Sequence, residues 1–292
     1  MPVPKSKLIA VDKFLDFCRG QNAIGDHYPH VMLFKKVAEV EGLSLEQSLW
    51  LGIVYMAYYD DGSAWCAFTD AGVKDRAVLP NPTYTIAKQR RNLYGGRIVR
   101  HFESLAAVPT LSVWLTSCHT WAGLLGALES IYGNGRWASY TTAEMLTDLG
   151  LTVRPNSYEI AGSSGPRQGL EYLGLPPTEA SATYVHKLVE REGLSVPPQV
   201  LESFLCNWSR MNKGGFYVGH NLDRQQGRIL KAERLTGRKL TLLWECRKLL
   251  FPHAYLGELS GWPGIDKQRL KVYRSTGQVL RPDEKRKNPA SR

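Results

Sequence analysis

Apolar side chains recur at every third or fourth position along most of this 292-residue chain. That spacing places them on one face of an α-helix, whereas the alternation typical of β-strands is limited to short pieces such as Gly215–Val218. The sequence therefore predicts a mainly α-helical protein. The predicted helices lie at about 6–19, 28–41, 49–59, 83–93, 110–131, 137–149, 179–192, 198–212 and 222–235.

Three polar residues are candidates for helix caps. Ser44, followed by Gln47, has the spacing of a capping box for the apolar segment Leu49–Tyr59. Ser63 follows a helix break at Asp61 and Gly62, and Asn221 precedes the last predicted helix. We expect Ser63 and Asn221 to cap the helices that follow them.

Composition predicts one helical domain over residues 1–265, since 43% of the chain is hydrophobic. A basic, flexible tail is expected over 266–292, where few residues can pack. No apolar stretch is long enough to span a membrane, and Met1–Lys7 does not resemble a signal peptide. We therefore expect a cytoplasmic protein with no membrane partner.

The five cysteines, Cys18, Cys66, Cys118, Cys206 and Cys246, include no CxxC pair. Neither a disulfide framework nor a zinc site of standard spacing is indicated. The sequence predicts buried thiols, no metal and no cofactor.

Positive charge is concentrated in two stretches of the chain. Residues 267–292 hold nine Lys or Arg against two acids, and residues 74–100 hold seven against one. Such clustering suits a surface that binds nucleic-acid phosphates, because neutralised phosphates release counterions. The alternative is a pair of solvated basic faces with no ligand.

Aromatic residues surround the helix break at Asp61 and Gly62. Tyr59 and Trp65 are the candidates to stack on a base extruded from DNA. Tyr55, Tyr58 and Tyr59 also have the spacing of a buried helix face, so core packing remains an alternative.

Basic side chains flank the Gly95 and Gly96 pair. Long cations beside a flexible backbone suit DNA phosphate contacts, which give affinity without reading the sequence. The candidates are Lys88, Arg90, Arg91 and Arg97.

A glycine-containing turn joins two predicted helices at Ile131–Tyr140. Gly133 and Gly135 allow backbone N–H groups at the start of a helix to approach a DNA phosphate, as in a helix-hairpin-helix motif, with Arg136 adjacent. The alternative is a simple turn.

A loop of small residues enters a helix at Ile160–Gly169. Ser163, Gly165 and the guanidinium of Arg167 are candidates for binding a phosphate monoester or diphosphate. The Lys-Ser/Thr ending of a nucleotide P-loop is absent.

The segment Gly219–Arg228 carries titratable groups at the start of a helix. His220 and Asp223 are candidates to deprotonate an amine, and Arg224 lies beside them. A capped surface helix explains the same residues equally well.

In this order, the segments Tyr59–Phe68, Tyr132–Arg136 and Ala161–Gly169, with Asp223 and Arg224, resemble the phage amino acid:DNA transferases. This family is also called the alpha-glutamyl/putrescinyl thymine pyrophosphorylase group. The resemblance implies a helical bundle similar to that of the helix-hairpin-helix DNA glycosylases. It also implies two substrates, a free amino acid and double-stranded viral DNA that contains phosphorylated 5-hydroxymethyluracil.

Roles for the candidate residues follow from that resemblance. Arg167, helped by Arg136 or Arg224, would bind the leaving phosphate. His220 or Asp223 would take the proton from the amine. The ring pair of Tyr59 and Trp65 would hold the extruded base.

Two other function classes remain open. A DNA glycosylase acting on a modified pyrimidine would use Asp148 or Asp223, although the loop 161–165 lacks the acid that a related glycosylase carries there. A non-catalytic helical protein that packages or protects DNA would bind with a steep salt dependence.

Overall fold

The structure is a computed structural model that describes residues 5–87, 91–251 and Lys271. Within these residues every regular element is helical and no β-strand is present, so the predicted mainly α fold is confirmed. The helices are α1 (Lys5–Ile24), α2 (Pro29–Val40), α3 (Leu45–Tyr58), α4 (Asp61–Phe68), α5 (Gly96–Glu103), α6 (Leu111–Thr116), α7 (Trp121–Glu129), α8 (Arg136–Asp148), a 3-10 turn (Ile160–Gly162), α9 (Gly165–Tyr172), α10 (Glu179–Arg191), α11 (Pro198–Asn212), α12 (His220–Thr236) and α13 (Thr241–Leu250).

The chain divides into two compact units. The first is formed by the described residues within Met1–Pro29, Asn156–Arg224 and Lys248–Arg292, and the second by those within His30–Pro155 and Gln225–Arg247. The boundary falls inside α12, after Arg224, so this helix contributes residues to both units.

The core of the first unit is built from α1, α9, α10 and α11. Phe14, Phe17 and Trp208 form a set of ring contacts at its centre, with centroid distances of 5.5–5.6 Å. Helices α9 and α11 approach closely, because a Cβ at Gly169 would lie 2.3 Å from the carbonyl oxygen of Leu205. Glycine at this position therefore permits the helix pair to pack.

The core of the second unit is centred on α3, which packs against α4, α6 and α8. Residues 48–58 of this helix are all buried. Ser44 and Gln47 form the predicted capping box at its start, with both reciprocal hydrogen bonds present. The helix ends at Tyr59, which adopts a left-handed conformation with φ of 50°.

The other two predicted caps are wrong. Helix α4 is capped by Asp60, whose Oδ1 accepts a hydrogen bond from the backbone N–H of Ser63 at 3.0 Å. Asn221 lies inside α12 and its side chain donates to the backbone oxygen of Asp26. In both cases a carboxylate accepts the hydrogen bond instead. Asp60 does so for α4, and Asp26 accepts from the N–H of Leu222 in α12.

The helix predicted at 83–93 is absent from its described residues, 83–87 and 91–93. Pro80 and Pro82 precede this segment, and the side chain of Asn81 accepts from the backbone N–H of Thr83 at 2.9 Å. This local hydrogen bond competes with helix formation. Residues 88–90 lie outside the described part of the chain.

Two further predictions need correction. The helix predicted at 110–131 is divided into α6 and α7, because Thr120 accepts from the N–H of Gly123 and starts a new helix. Gly215–Val218 forms no strand and leads into α12. The predicted tail at 266–292 lies outside the described residues except for Lys271.

Within the described residues, no helix combines the length and the apolar character that a membrane span requires.

Candidate active site

In the first unit, the start of α12 is held by the carboxylate of Asp26. Its Oδ2 accepts from the backbone N–H of Gly219 at 2.8 Å, and its Oδ1 accepts from that of Leu222 at 3.0 Å. Gln21 donates a third hydrogen bond to Oδ2 at 3.2 Å. Asp26 is completely buried, and it satisfies N–H groups that the first turn of the helix cannot pair internally.

Asp223 lies on the same turn of α12 and is also buried. Its Oδ2 accepts a hydrogen bond of 2.6 Å from the hydroxyl group of Tyr217. The carboxyl groups of Asp26 and Asp223 interact electrostatically. The first unit therefore holds a buried pair of carboxyl groups where the sequence predicted only one.

Burial raises the pKa of Asp26 to about 7, against the lowering effect of its hydrogen bonds. A carboxyl group with that pKa can accept or release a proton at neutral pH. Sequence reasoning missed Asp26 because it lies in a short loop, 193 positions from Gly219, with no periodicity or motif around it.

His220 is buried against Phe216 and Tyr217, with ring centroids 5.1 and 5.3 Å away. The Nη2 of Arg210 lies 3.0 Å from the Nε2 of His220. A guanidinium can only donate, so Nε2 accepts this hydrogen bond. The lone pair that Nε2 would need as a general base is thereby occupied. Arg224, also on α12, is partly buried.

In the second unit, Tyr59 lies above a buried ionic group that we call the aspartate–arginine cluster, formed by Asp60, Asp61 and Arg228. The Nη1 of Arg228 donates to Oδ2 of Asp61 at 3.2 Å, and its Nε lies 4.0 Å from Oδ2 of Asp60. The guanidinium carbon is 5.3 Å from the centre of the Tyr59 ring. Tyr59 in turn makes an edge contact of 5.4 Å with Trp137.

Burial governs the charges of the aspartate–arginine cluster. It raises the pKa of Asp60, an effect that Arg228 partly offsets. Burial alone would lower the pKa of Arg228, but the carboxylates of Asp61 and Asp60 outweigh it and the pKa is raised. The guanidinium therefore stays charged inside the protein.

The structure separates the roles of Tyr59 and Trp65. Tyr59 is only partly buried, whereas Trp65 is 6% exposed and stacks on Phe68 at 5.7 Å. Core packing accounts for Trp65, as the alternative reading of this aromatic segment allowed.

A turn with a left-handed glycine connects α7 to α8. Gly133 has φ of 80°, and a Cβ there would lie 2.5 Å from Leu93. Gly135 occupies the N-cap position of α8 without a side-chain cap, and a Cβ there would meet no described atom within 4 Å. Arg136 is the first residue of α8 and is partly buried. A glycine-containing turn therefore joins α7 to α8, with open space at Gly135.

Arg91 lies beneath this turn. It is 2% exposed, and its guanidinium donates to Oδ1 of Asn134 at 2.9 Å and to the Gly133 carbonyl at 3.4 Å. His101 supports the same turn, with Nδ1 2.7 Å from the Tyr132 carbonyl oxygen. Burial, together with the charge of Arg91, lowers the pKa of His101 to about 4. Arg91 therefore supports the turn from inside and does not lie at the surface.

The other predicted phosphate contacts have different positions. Arg97 is exposed on the first turn of α5. Lys88 and Arg90 lie outside the described residues.

The small-residue loop before α9 has a packing role. A Cβ at Gly165 would lie 2.5 Å from Sγ of Cys206, so this glycine allows α9 to approach α11. Ser163 bonds to the Ile160 carbonyl, and Arg167 is exposed on the first turn of α9. Arg167 is therefore exposed to solvent, whereas Gly165 allows the contact between α9 and α11.

Residues 105–215 match the family model described as amino acid:DNA transferase. This match confirms the resemblance to that family. Residues 105–215, which we call the transferase segment, are thus similar to the amino acid:DNA transferases. No curated protein matches the chain. In general terms, this match indicates a transferase that acts on DNA and amino acids.

The transferase segment covers a little over a third of the chain and extends from just after α5 to just after α11. It includes some of the predicted site residues, namely Gly133, Gly135, Arg136, Ser163, Gly165 and Arg167. It excludes the others, namely Tyr59, Trp65, Lys88, Arg90, Arg91, Arg97, His220, Asp223 and Arg224. The described residues contain no group of three or more His, Cys, Asp or Glu side chains that could hold a metal ion.

Proposed function

We propose that this protein joins an amino acid to phosphorylated 5-hydroxymethyl-deoxyuridine in viral DNA, displacing phosphate or pyrophosphate. The product is a hypermodified thymidine that helps viral DNA evade host restriction. One observation carries the proposal, the match of residues 105–215 to the amino acid:DNA transferases.

The chemistry requires a neutral amine in line with an activated methylene group. The amine lone pair forms a bond to the exocyclic methylene carbon, and the carbon–oxygen bond breaks with its electrons on the departing phosphate. The amine then releases a proton. Binding the phosphate and positioning the amine supply most of the rate in such a reaction.

Arg167 is our candidate to bind the leaving phosphate, with Arg224 of the same unit as a helper. Its exposure on α9 makes the guanidinium accessible to DNA. Ser163 is our candidate for a further phosphate contact in the first unit. In the second unit, Tyr59 is our candidate to hold the extruded base. The open N-terminus of α8 at Gly135 and the exposed Arg97 are candidates for the DNA backbone.

His220, Asp223 and the added candidate Asp26 could receive the amine proton. The hydrogen bond from Arg210 occupies Nε2 of His220, which favours the carboxyl pair over the imidazole. Asp26, with a pKa of about 7, is the carboxyl group that we propose to receive the proton.

The decisive experiment uses DNA that contains 5-phosphomethyl-deoxyuridine, incubated with the protein and a mixture of amino acids. Mass spectrometry of the released nucleosides should show a thymidine with an added amino acid, and none with unphosphorylated DNA. Abasic sites would instead identify a glycosylase. Salt-dependent DNA binding with unchanged nucleosides would identify a non-catalytic DNA-binding protein.

The variant Arg167→Ala tests the phosphate assignment. We expect transfer to fall by about a hundredfold or more, because an anion contact is lost, while DNA affinity changes little. Arg191→Ala, an exposed arginine of the same unit, serves as the matched control. Wild-type turnover in Arg167→Ala would remove this residue from the mechanism.

A further inference from the structure

The aspartate–arginine cluster has an unmatched hydrogen-bond donor. Arg228 is only 7% exposed, and its Nη2 is buried without a hydrogen-bond partner among the described residues. Its Nη1 and Nε are directed at Asp61 and Asp60. A buried guanidinium N–H that lacks an acceptor is destabilising unless a ligand supplies one.

The same cluster has an excess of acid next to that donor. Two buried carboxyl groups face one guanidinium, and the Asp60 Oδ2 to Arg228 Nε distance of 4.0 Å is at the limit of an ion pair. Oδ1 of Asp60 caps α4, whereas both oxygens of Asp61 are hydrogen-bonded, to Gln225 and to Arg228. A second positive charge near Asp60 would balance the pair.

Arg247 is linked to the aspartate–arginine cluster through the side chain of Gln225. Its guanidinium donates to the side-chain oxygen of Gln225, whose Nε2 donates to Asp61 at 3.2 Å. Gln225 is thereby fixed in orientation, with its amide N–H on the carboxylate. The arrangement holds Asp61 rigidly and leaves Asp60 as the less constrained acid.

Partly buried aromatic side chains lie next to the cluster. Tyr59 covers the guanidinium of Arg228, and Trp137 and His30 contact Tyr59 at 5.4 and 6.1 Å. These three side chains are partly exposed, whereas Asp60 and Asp61 are 4% and 1% exposed. Tyr59 is therefore a partly exposed side chain that lies directly against the buried guanidinium.

We propose that the aspartate–arginine cluster binds the donor as a zwitterionic α-amino acid. Its carboxylate accepts from Nη2 of Arg228, and its ammonium group binds Asp60. One molecule with both charges supplies the missing acceptor and the missing cation together. This assignment rests on the proposed transfer function, and it excludes simple diamines as good donors because they lack the carboxylate.

The variant Arg228→Lys tests the carboxylate contact, since lysine keeps the charge beside Asp61 and loses the forked donor. Glycine and serine are compared as donors with glycinamide and serinamide, which retain the amine and lack the carboxylate. We expect KM for the amino acids to rise about tenfold or more, and KM for the amides to change by less than about twofold. Arg234→Lys, exposed on the same helix, is the matched control.

The variant Asp60→Asn tests the ammonium contact and keeps an oxygen to cap α4. It should raise KM for amino acids and amides alike, because both carry the amine. Equal shifts for the two donor classes in Arg228→Lys, or unchanged KM in both variants, would overturn the assignment. A thermal melt of each variant checks that the fold is retained.

Direct titration of glycine and serine into the DNA-free protein separates this inference from the transfer function. Binding that weakens in Arg228→Lys supports the subsite even if no nucleoside product forms. Normal transfer with unaltered donor KM in Arg228→Lys would preserve the function and reject the subsite. Absence of binding to the wild-type protein would also reject it.

Discussion

The carboxyl of Asp26 replaces a helix-capping side chain for α12, although 193 positions separate it from Gly219. The hydrogen bonds it accepts favour its charged form, and complete burial disfavours that form more strongly, so its pKa rises to about 7. A single side chain thus fixes the start of α12 and becomes titratable near neutral pH.

Asp26→Asn should destabilise the protein most at acid pH. Because the folded-state pKa of Asp26 exceeds the ordinary aspartate value of 3.8, the folded state binds more protons between about pH 4 and pH 7. The contribution of Asp26 to stability therefore declines as pH rises through that window, by on the order of 4 kcal/mol.

Thermal or urea unfolding of wild type and Asp26→Asn at several pH values measures this effect. The difference in unfolding free energy should shrink steadily from about pH 4 to pH 7. Burial lowers the pKa values of His27 and His101 to about 4, so these residues make stability rise with pH. Wild type and Asp26→Asn share this contribution. A difference that stays constant with pH would show that Asp26 does not titrate in this range.

Among the helices, the α9 and α11 pair shows why small residues occur where the sequence predicted a phosphate loop. Gly165 and Gly169 both face α11, where a Cβ would collide with Cys206 and with the Leu205 carbonyl. A sequence does not show whether a glycine provides a flexible backbone or allows two helices to pack closely. Only the neighbouring helix distinguishes these two roles.

Gly169→Ala should therefore destabilise the first unit by about 1–3 kcal/mol, because the backbone of α11 must move. Gly126→Ala in α7 is the matched control, since no described atom lies within 4 Å of the added Cβ. That change should be neutral or stabilising by up to about 1 kcal/mol. Chemical unfolding compares the two, and equal stability of both variants would contradict the packing role.

At the scale of the whole molecule, the basic stretch 74–100 supplies less surface charge than its composition suggests. Arg76 pairs with Glu46 and donates to the carbonyls of Leu105 and Val108. Arg91 is buried beneath the α7–α8 turn. Part of the positive charge counted in the sequence therefore stabilises loops and is not presented to DNA.

Salt dependence of DNA binding separates the two kinds of arginine. Arg97→Ala should reduce the slope of log affinity against log salt by about one, because a phosphate contact is lost. Arg91→Ala should leave the slope unchanged and lower stability by about 1–3 kcal/mol through the hydrogen bonds it loses. A reduced slope in Arg91→Ala would instead show that Arg91 contacts a DNA phosphate.

The sequence by itself determined the helical class, the capping box at Ser44 and the α7–α8 turn, because these depend on periodicity and local backbone preference. It also indicated the transferase family through the order of its motifs. It failed at the described residues of 83–93, where a short-range hydrogen bond accepted by the Asn81 side chain overrides the helical pattern.

Tertiary structure alone decided which charged residues are buried together. Asp26 meets the start of α12, and Arg228 meets Asp60 and Asp61, through contacts between segments more than 160 positions apart. Such pairings depend on how helices pack, and helical periodicity specifies the face that a helix buries but not the partner that covers it. The candidate donor subsite and the buried carboxyl pair could therefore be identified only from the folded protein.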